Sequence, residues 1–146
     1  MLRQYAFYRF YLHFNDYMTY IYCVTNQTNS VLKSNNLKLK LSGASQAYLD
    51  FDVTENTEVD LSGASKAELK GTTNFVKIDA SGASKFEGES FLANDSEADA
   101  SGASKIDIFA RRSLNADASG ASEINCTGNP EKVKRSENMG ADIRVK

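Results

Sequence analysis

From about residue 37 onward, apolar and polar residues alternate with a period of two, and the alternation is interrupted at regular intervals by one tetrapeptide. Ser-Gly-Ala-Ser occurs five times, starting at Ser42, Ser62, Ser81, Ser101 and Ser119, with spacings of 20, 19, 20 and 18 residues. The flanks agree in register. Three residues before each motif stand Leu39, Val59, Ile78, Ala98 and Ala116, and one before it stand Leu41, Leu61, Ala80, Ala100 and Ala118. Five after the first Ser come Ala47, Ala67, Phe86, Ile106 and Ile124, and seven after it Leu49, Leu69, Gly88, Ile108 and Cys126. Between these columns the chain is polar. The position two before the motif holds Lys40, Asp60, Asp79, Asp99 and Asp117, and the position four after it holds Gln46, Lys66, Lys85, Lys105 and Glu123.

Period-two alternation on both sides of a glycine-containing corner predicts strand, corner, strand, and then a return of variable length. Turn-prone residues such as Gly71-Thr72-Thr73-Asn74 and Asn94-Asp95-Ser96 fall in the return. A repeat of this length makes a path of roughly 60 Å at ~3.3 Å per strand residue, a reasonable circumference for one coil of a solenoid. Stacked coils pair every backbone group with the coil above or below and merge the aliphatic columns into one core. Hairpins in a sandwich would not demand the same tetrapeptide at every corner. The expected fold is therefore all-β, a parallel β-helix of five to six coils over residues 31–146, with a decayed sixth copy at Met139-Gly140-Ala141-Asp142. The pairs Ser42-Gly43, Ser62-Gly63, Ser81-Gly82, Ser101-Gly102 and Ser119-Gly120 are the structural corners. In them glycine supplies backbone freedom, alanine is expected to stack inside the bend, and the two serines to form hydroxyl ladders.

Residues 1–30 differ. Nine of the fifteen aromatic residues lie between Tyr5 and Tyr22, and no repeat is visible there. The stretch is broken by Arg9, His13, Asn15 and Asp16, so it does not read as a secretory signal. Two readings stay open: an aromatic cap over the first coil, or a remnant in place of a lost upstream half. Composition narrows the function. The chain has 146 residues, 41% of them apolar, and a net charge of -2 from 17 basic and 19 acidic residues. That balance argues against a nucleic-acid partner, and no apolar run approaches the roughly 20 residues of a membrane span. One His and two Cys, Cys23 and Cys126, leave little for a metal centre, a cofactor or a disulfide framework.

The repeat in its flanks, as in Leu39-Lys40-Leu41-Ser42-Gly43-Ala44-Ser45 and Ile78-Asp79-Ala80-Ser81-Gly82-Ala83-Ser84-Lys85, resembles the bacterial auto-transporter adhesin family known as the head GIN domain, a domain of unknown function. The ending Cys126-Thr127-Gly128-Asn129-Pro130, followed by Gly140-Ala141, is similar to that family's last coil. The resemblance covers residues 31–146. It implies a right-handed β-helix, placement in the periplasm or at the cell surface, and no established catalytic residues. The export signal and further N-terminal coils of family members are not recognisable in this chain.

The sharpest candidate chemistry is the carboxylate column Asp60, Asp79, Asp99 and Asp117. Stacking would align four like charges at strand spacing, which is unfavourable without compensation. Bound Ca²⁺ could compensate, and so could Lys66, Lys85 and Lys105 across the corner or Lys77 beside Glu58 and Glu97. A solvated face of alternating charge is the simpler expectation, with no metal. A polysaccharide lyase or hydrolase would use paired carboxylates, but these are repeat positions and not one asymmetric constellation. The serines lack a recurring base to activate them. Cys126 falls in an inward column, as an inert thiol would. The reading is a non-catalytic surface module, an adhesin-like presenter of charged faces to a protein or glycan ligand, with Asp60, Asp79, Asp99, Asp117, Lys66, Lys85 and Lys105 as its possible binding face. A polysaccharide-active enzyme is the alternative.

Overall fold

The computed structural model describes residues 11–15, 18–27 and 31–146, the first two segments by their backbone. All of its regular structure is strand: β1 (Tyr11–Asn15), β2 (Met18–Gln27), β3 (Leu32–Leu61), β4 (Lys66–Ala80), β5 (Lys85–Ala100), β6 (Lys105–Ala118), β7 (Glu123–Thr127), β8 (Lys132–Glu137) and β9 (Asp142–Val145). From β2 onward every pairing is parallel, coil upon coil, in a solenoid of about five turns. β2 lies in register on β3, with Ile21 opposite Leu39 and Cys23 opposite Leu41, and β1 pairs with β2 antiparallel. The parallel stack therefore reaches ahead of residue 31 into the aromatic segment. Whether that segment's side chains, including His13 and Cys23, close the first coil lies outside the described residues.

The apolar columns are the core. Register pairing runs Leu39–Ile21 at one end and then Val59 to Ile78, Ala98 and Ala116. After the corner it runs Ala47, Ala67, Phe86, Ile106, Ile124 and Ile143. Every member from Leu39 to Ile143 in these two columns is at most 3% exposed. Bulk is traded between adjacent columns of one coil: the Phe86 ring occupies the space that a Cβ on Gly88, two residues on, would need, so the gap at the glycine is filled by its neighbour.

Glycine at the corners is required by contact as well as by conformation. Gly63, Gly82, Gly102 and Gly120 have φ of +71°, +73°, +73° and +74°, and a Cβ on each would stand 2.7 Å from the carbonyl oxygen of the corner glycine beneath. That closeness comes from the ladder itself: Ala64, Ala83, Ala103 and Ala121 each donate an N–H to that same carbonyl at 2.8 Å. Gly43, first in the file, has φ of +68° but, among the described residues, nothing within 4 Å of its would-be Cβ.

Two details of the corner differ from the expectation. The alanines (Ala44, Ala64, Ala83, Ala103 and Ala121) are exposed, and it is the second serine that turns inward. Ser45, Ser65, Ser84, Ser104 and Ser122 are 2–3% exposed. The bend puts three successive residues on its convex side, so the fourth is the next to meet the core. Nor do the hydroxyls form a ladder among themselves; they donate to backbone carbonyls. Ser45 reaches Ser42 O at 2.6 Å, Ser104 reaches Ala80 O at 3.1 Å, and Ser122 reaches both Ser119 O at 2.8 Å and Ala100 O at 3.1 Å. A carbonyl at the bend is a fixed acceptor, whereas a hydroxyl one coil away is farther off. Ser65 Oγ and Ser84 Oγ are buried with no partner.

The sixth corner is present but shifted by one residue. Asn138 N bonds Ala118 O at 2.9 Å and Asp142 N bonds Ser122 O at 3.1 Å, so Asn138–Ala141 takes the place held by Ser119–Ser122 one coil below. Glycine thus arrives one position late. Met139 occupies the corner's left-handed position with φ of +58° and is 90% exposed. In this last coil two columns before the corner turn polar: β8 places Val133, Arg135 and Glu137 over Leu114, Ala116 and Ala118, while Ile143 and Val145 keep the columns after it apolar. Arg135 Nη1 then donates to Ile143 O at 3.4 Å across the end of the core.

Substitutions at the corners separate conformation from contact. Gly82→Ala should lower stability by roughly 3 kcal/mol or more, whereas Gly43→Ala should cost only the left-handed penalty of about 1 kcal/mol. Lys85→Ala, a surface change, should stay within about 0.5 kcal/mol. Urea melts rank all three. The same melts test the buried hydroxyls: Ser84→Ala should be neutral or stabilising, because it removes an unsatisfied donor, while Ser104→Ala should cost about 1 kcal/mol.

Candidate functional site

Strand alternation places the residue two before each motif and the first serine of each motif on the same outward side, with the inward residue between them forming a floor. Repeated in register, this gives a groove of about 830 Å³ that crosses the coils beside the corners. Its walls are Lys40, Asp60, Asp79, Asp99 and Asp117 on one side and Ser42, Ser62, Ser81, Ser101 and Ser119 on the other. Leu41, Leu61, Ala80, Ala100 and Ala118 make the floor, and Asn138 closes the C-terminal end.

The groove is electrostatically uneven. Asp60, Asp79, Asp99 and Asp117 stand opposite one another in successive coils. Lys40 neutralises Asp60 at 2.8 Å. Among the described residues Asp79, Asp99 and Asp117 have no ion pair and no hydrogen bond, so three like charges follow at the ~4.8 Å spacing of stacked strands. Asp99, the middle one, has its carboxyl raised above the ordinary value of 3.8, first by partial burial and then by Asp79 and Asp117 on either side; Lys77 opposes the shift. Lys77 is itself engaged elsewhere, at 2.6 Å from Glu97.

The lysines do not compensate this column. Lys66, Lys85 and Lys105 stack in register with one another on the wall after the corner and do not line the groove. They pair with acids of their own wall: Lys66 with Glu87 at 2.8 Å, Lys85 with the same Glu87, and Lys105 with Glu123 at 3.4 Å and Asp107 at 3.8 Å. Glu87, held by two lysines, has its carboxyl lowered. The reason is register. The acids Glu68, Glu87 and Asp107 sit two residues beyond the lysines on the same face, within reach along the strand or one coil away, whereas the aspartates lie beyond the bend. Lys66 also lies over Tyr48, 5.4 Å from the ring centre. The grouping of aspartates and lysines into one face is thus divided by the structure into a neutralised wall and an anionic groove.

The remaining candidates are placed as follows. Cys126 is 1% exposed, and burial pushes its thiol up to about 11. Among the described residues no three His, Cys, Asp or Glu side chains are grouped so as to hold a metal ion. Among the described residues no helix is long and apolar enough to cross a membrane. The sequence pattern picked out the aspartates but not the first serines as their partners across a groove. Both columns recur with the repeat, but only the bend shows that they face each other.

A parallel β-solenoid with one continuous groove along its corners is a scaffold for an extended contact, since stacked coils make a long regular surface. The chain belongs to the family described as putative auto-transporter adhesin, head GIN domain, whose family model matches residues 24–130. Comparison with curated proteins and with solved structures finds no match.

The cost of the carboxylate run is measurable. Because the fold holds the Asp99 proton more tightly than the unfolded chain does, its ionisation weakens the fold as pH rises from 3.8 through the raised folded value, and the cost is constant above that. Asp99→Asn should therefore stabilise at pH 7 by up to about 1 kcal/mol and have almost no effect at pH 3. Thermal melts at the two pH values check this; equal effects at both would mean the charges do not interact.

Proposed function

We propose that this protein is a non-catalytic binding module of the bacterial envelope or cell surface, adhesin-like, and that the corner groove is its contact surface. The observation that carries the reading is the run Asp79, Asp99 and Asp117. Every other charged column of the described solenoid is interrupted or neutralised by its neighbours, as with Lys38 and Glu58 at 2.7 Å and Lys77 and Glu97 at 2.6 Å. Like charges directly opposite one another cost stability. A partner that brings positive charge along the groove recovers that cost. The partner this selects is an extended basic segment of another protein, lying across the coils with its cations over the carboxylates and its hydrogen-bonding groups against the serine row. Membership of an adhesin-like family supports placement at the surface or in the periplasm.

Repeat symmetry supports a binding role over a catalytic one. The aspartates occupy equivalent positions, and acid and base roles require two carboxyls in unlike surroundings. The test is a titration of the purified chain with an oligolysine peptide, followed by calorimetry. Binding should weaken several-fold between 50 and 200 mM salt (roughly, for three charge contacts). It should be lost in the triple variant Asp79→Asn, Asp99→Asn, Asp117→Asn. Salt-independent binding, or binding unchanged in the triple variant, refutes the groove. Release of oligosaccharide from a polysaccharide substrate, abolished by Asp99→Asn, would establish the enzymatic alternative instead.

A further inference from the structure

A second depression lies on the return side of the solenoid, away from the groove and sharing no residue with it. It measures about 400 Å³ and is lined by Val53, Thr54, Thr72, Thr73, Asn74, Leu92, Asn94 and Arg111. This is where the coils stop superimposing. Register slips between Asp52 and Asn56 on β3, between Glu68 and Gly71 on β4, and twice on β5, from Gly88 to Leu92 and from Ala93 to Asp95. Elsewhere each wall position is a column of equivalents. Here neighbouring coils contribute unlike side chains, and an asymmetric constellation is what selective recognition requires.

Three features give the depression its chemistry. Leu92 is 39% exposed; the other exposed large apolar side chains among the described residues, Val31, Val133 and Met139, all lie in the first or last coil. Asn94 Nδ2 donates to Asn74 Oδ1 at 3.1 Å, which leaves the Asn94 side-chain carbonyl, the second Asn94 N–H and the Asn74 amide N–H groups for a ligand, in the same lining as Thr54. Arg111 has no carboxylate partner among the described residues. Asp95, opposite Ser113 one coil below, is already taken by Arg112, whose Nε is 3.0 Å away, and by Ser113 Oγ at 2.6 Å. That occupancy holds the Asp95 carboxyl down to about 2 and leaves Arg111 as the free charge.

We infer that this depression binds an acidic sugar residue. Arg111 receives the carboxylate, Asn74, Asn94 and Thr54 exchange hydrogen bonds with ring hydroxyls, and Leu92 lies against the apolar C–H face. A guanidinium fork matches a planar carboxylate better than an ammonium does. Amide and hydroxyl groups offer both donors and acceptors, as a polyol needs. The volume lies at the lower end of the ~300–1,000 Å³ typical of small-ligand sites. This site extends the adhesin-like reading but does not use the groove, so the two stand or fall separately.

The test is an NMR titration of the whole chain with the methyl glycoside of glucuronic acid, the methyl glycoside of glucose, and sodium sulfate. The glucuronide should shift the side-chain amides of Asn74 and Asn94 saturably, and at least about tenfold more tightly than the glucoside, a difference of ~1.4 kcal/mol. Arg111→Ala should weaken the glucuronide about tenfold or more, and Arg111→Lys should restore only part of the loss. Lys70→Ala, which removes the same charge beside Glu68, should change nothing, and the groove's triple Asn variant should bind the glucuronide normally. Equal response to glucose, equal response to sulfate, or full rescue by Arg111→Lys would overturn the assignment. Thermal melts of each variant establish that it is folded.

Discussion

The structure depends on one close approach, that of glycine over glycine at the corner. From Gly43 to Gly102 each corner carbonyl accepts an N–H from the coil above at 2.8 Å, and the same carbonyl would stand 2.7 Å from a Cβ on the glycine stacked over it. No other residue fits that geometry without moving a coil. Once the corners are clamped at hydrogen-bond distance, the strands on either side have no freedom of register, and each inward residue lies over its equivalent. The aliphatic core follows from this clamp: its columns are continuous because the corners are in file.

The same clamp creates the electrostatic problem. Exact superposition brings identical side chains together, which is harmless for Leu or Ala and costly for Asp. On the wall after the corner the chain avoids the cost by setting lysine and acid columns two residues apart, so that Lys66 and Lys85 share Glu87. In the column before the corner it does so once, with Lys40 against Asp60, and then leaves three aspartates facing one another. Destabilising features kept within a regular scaffold are where function is sought, and here they line the long groove beside the corners. The return side reaches the opposite arrangement: register slips remove superposition, and Arg111 and Leu92 are set among unlike neighbours.

The sixth corner shows how far the clamp can be relaxed. With glycine displaced by one position, Met139 takes the left-handed conformation at a cost of order 1–2 kcal/mol. Only one coil lies against it, and a Cβ on Gly140 would have 3.9 Å of clearance from Gly120 O. The corner persists because the ladder bonds on either side, from Asn138 and Asp142, are kept.

Much of this was legible in the residues alone. Local alternation identifies strands, and a glycine recurring with them identifies corners, because both depend only on backbone sterics and on which face is greasy. The all-β solenoid, its inward columns and the alignment of Asp60, Asp79, Asp99 and Asp117 follow from that. Which residues meet around a bend does not, since it depends on how many positions the convex side absorbs. The fold therefore decided that the second serines, not the alanines, turn inward. It also parted Lys66, Lys85 and Lys105 from the aspartates, and it shifted the last corner from Met139 to Asn138. The return side was least legible of all. Where spacing varies from coil to coil no period exists to read, so only the packed chain could bring Leu92, Asn74, Asn94 and Arg111 to one place.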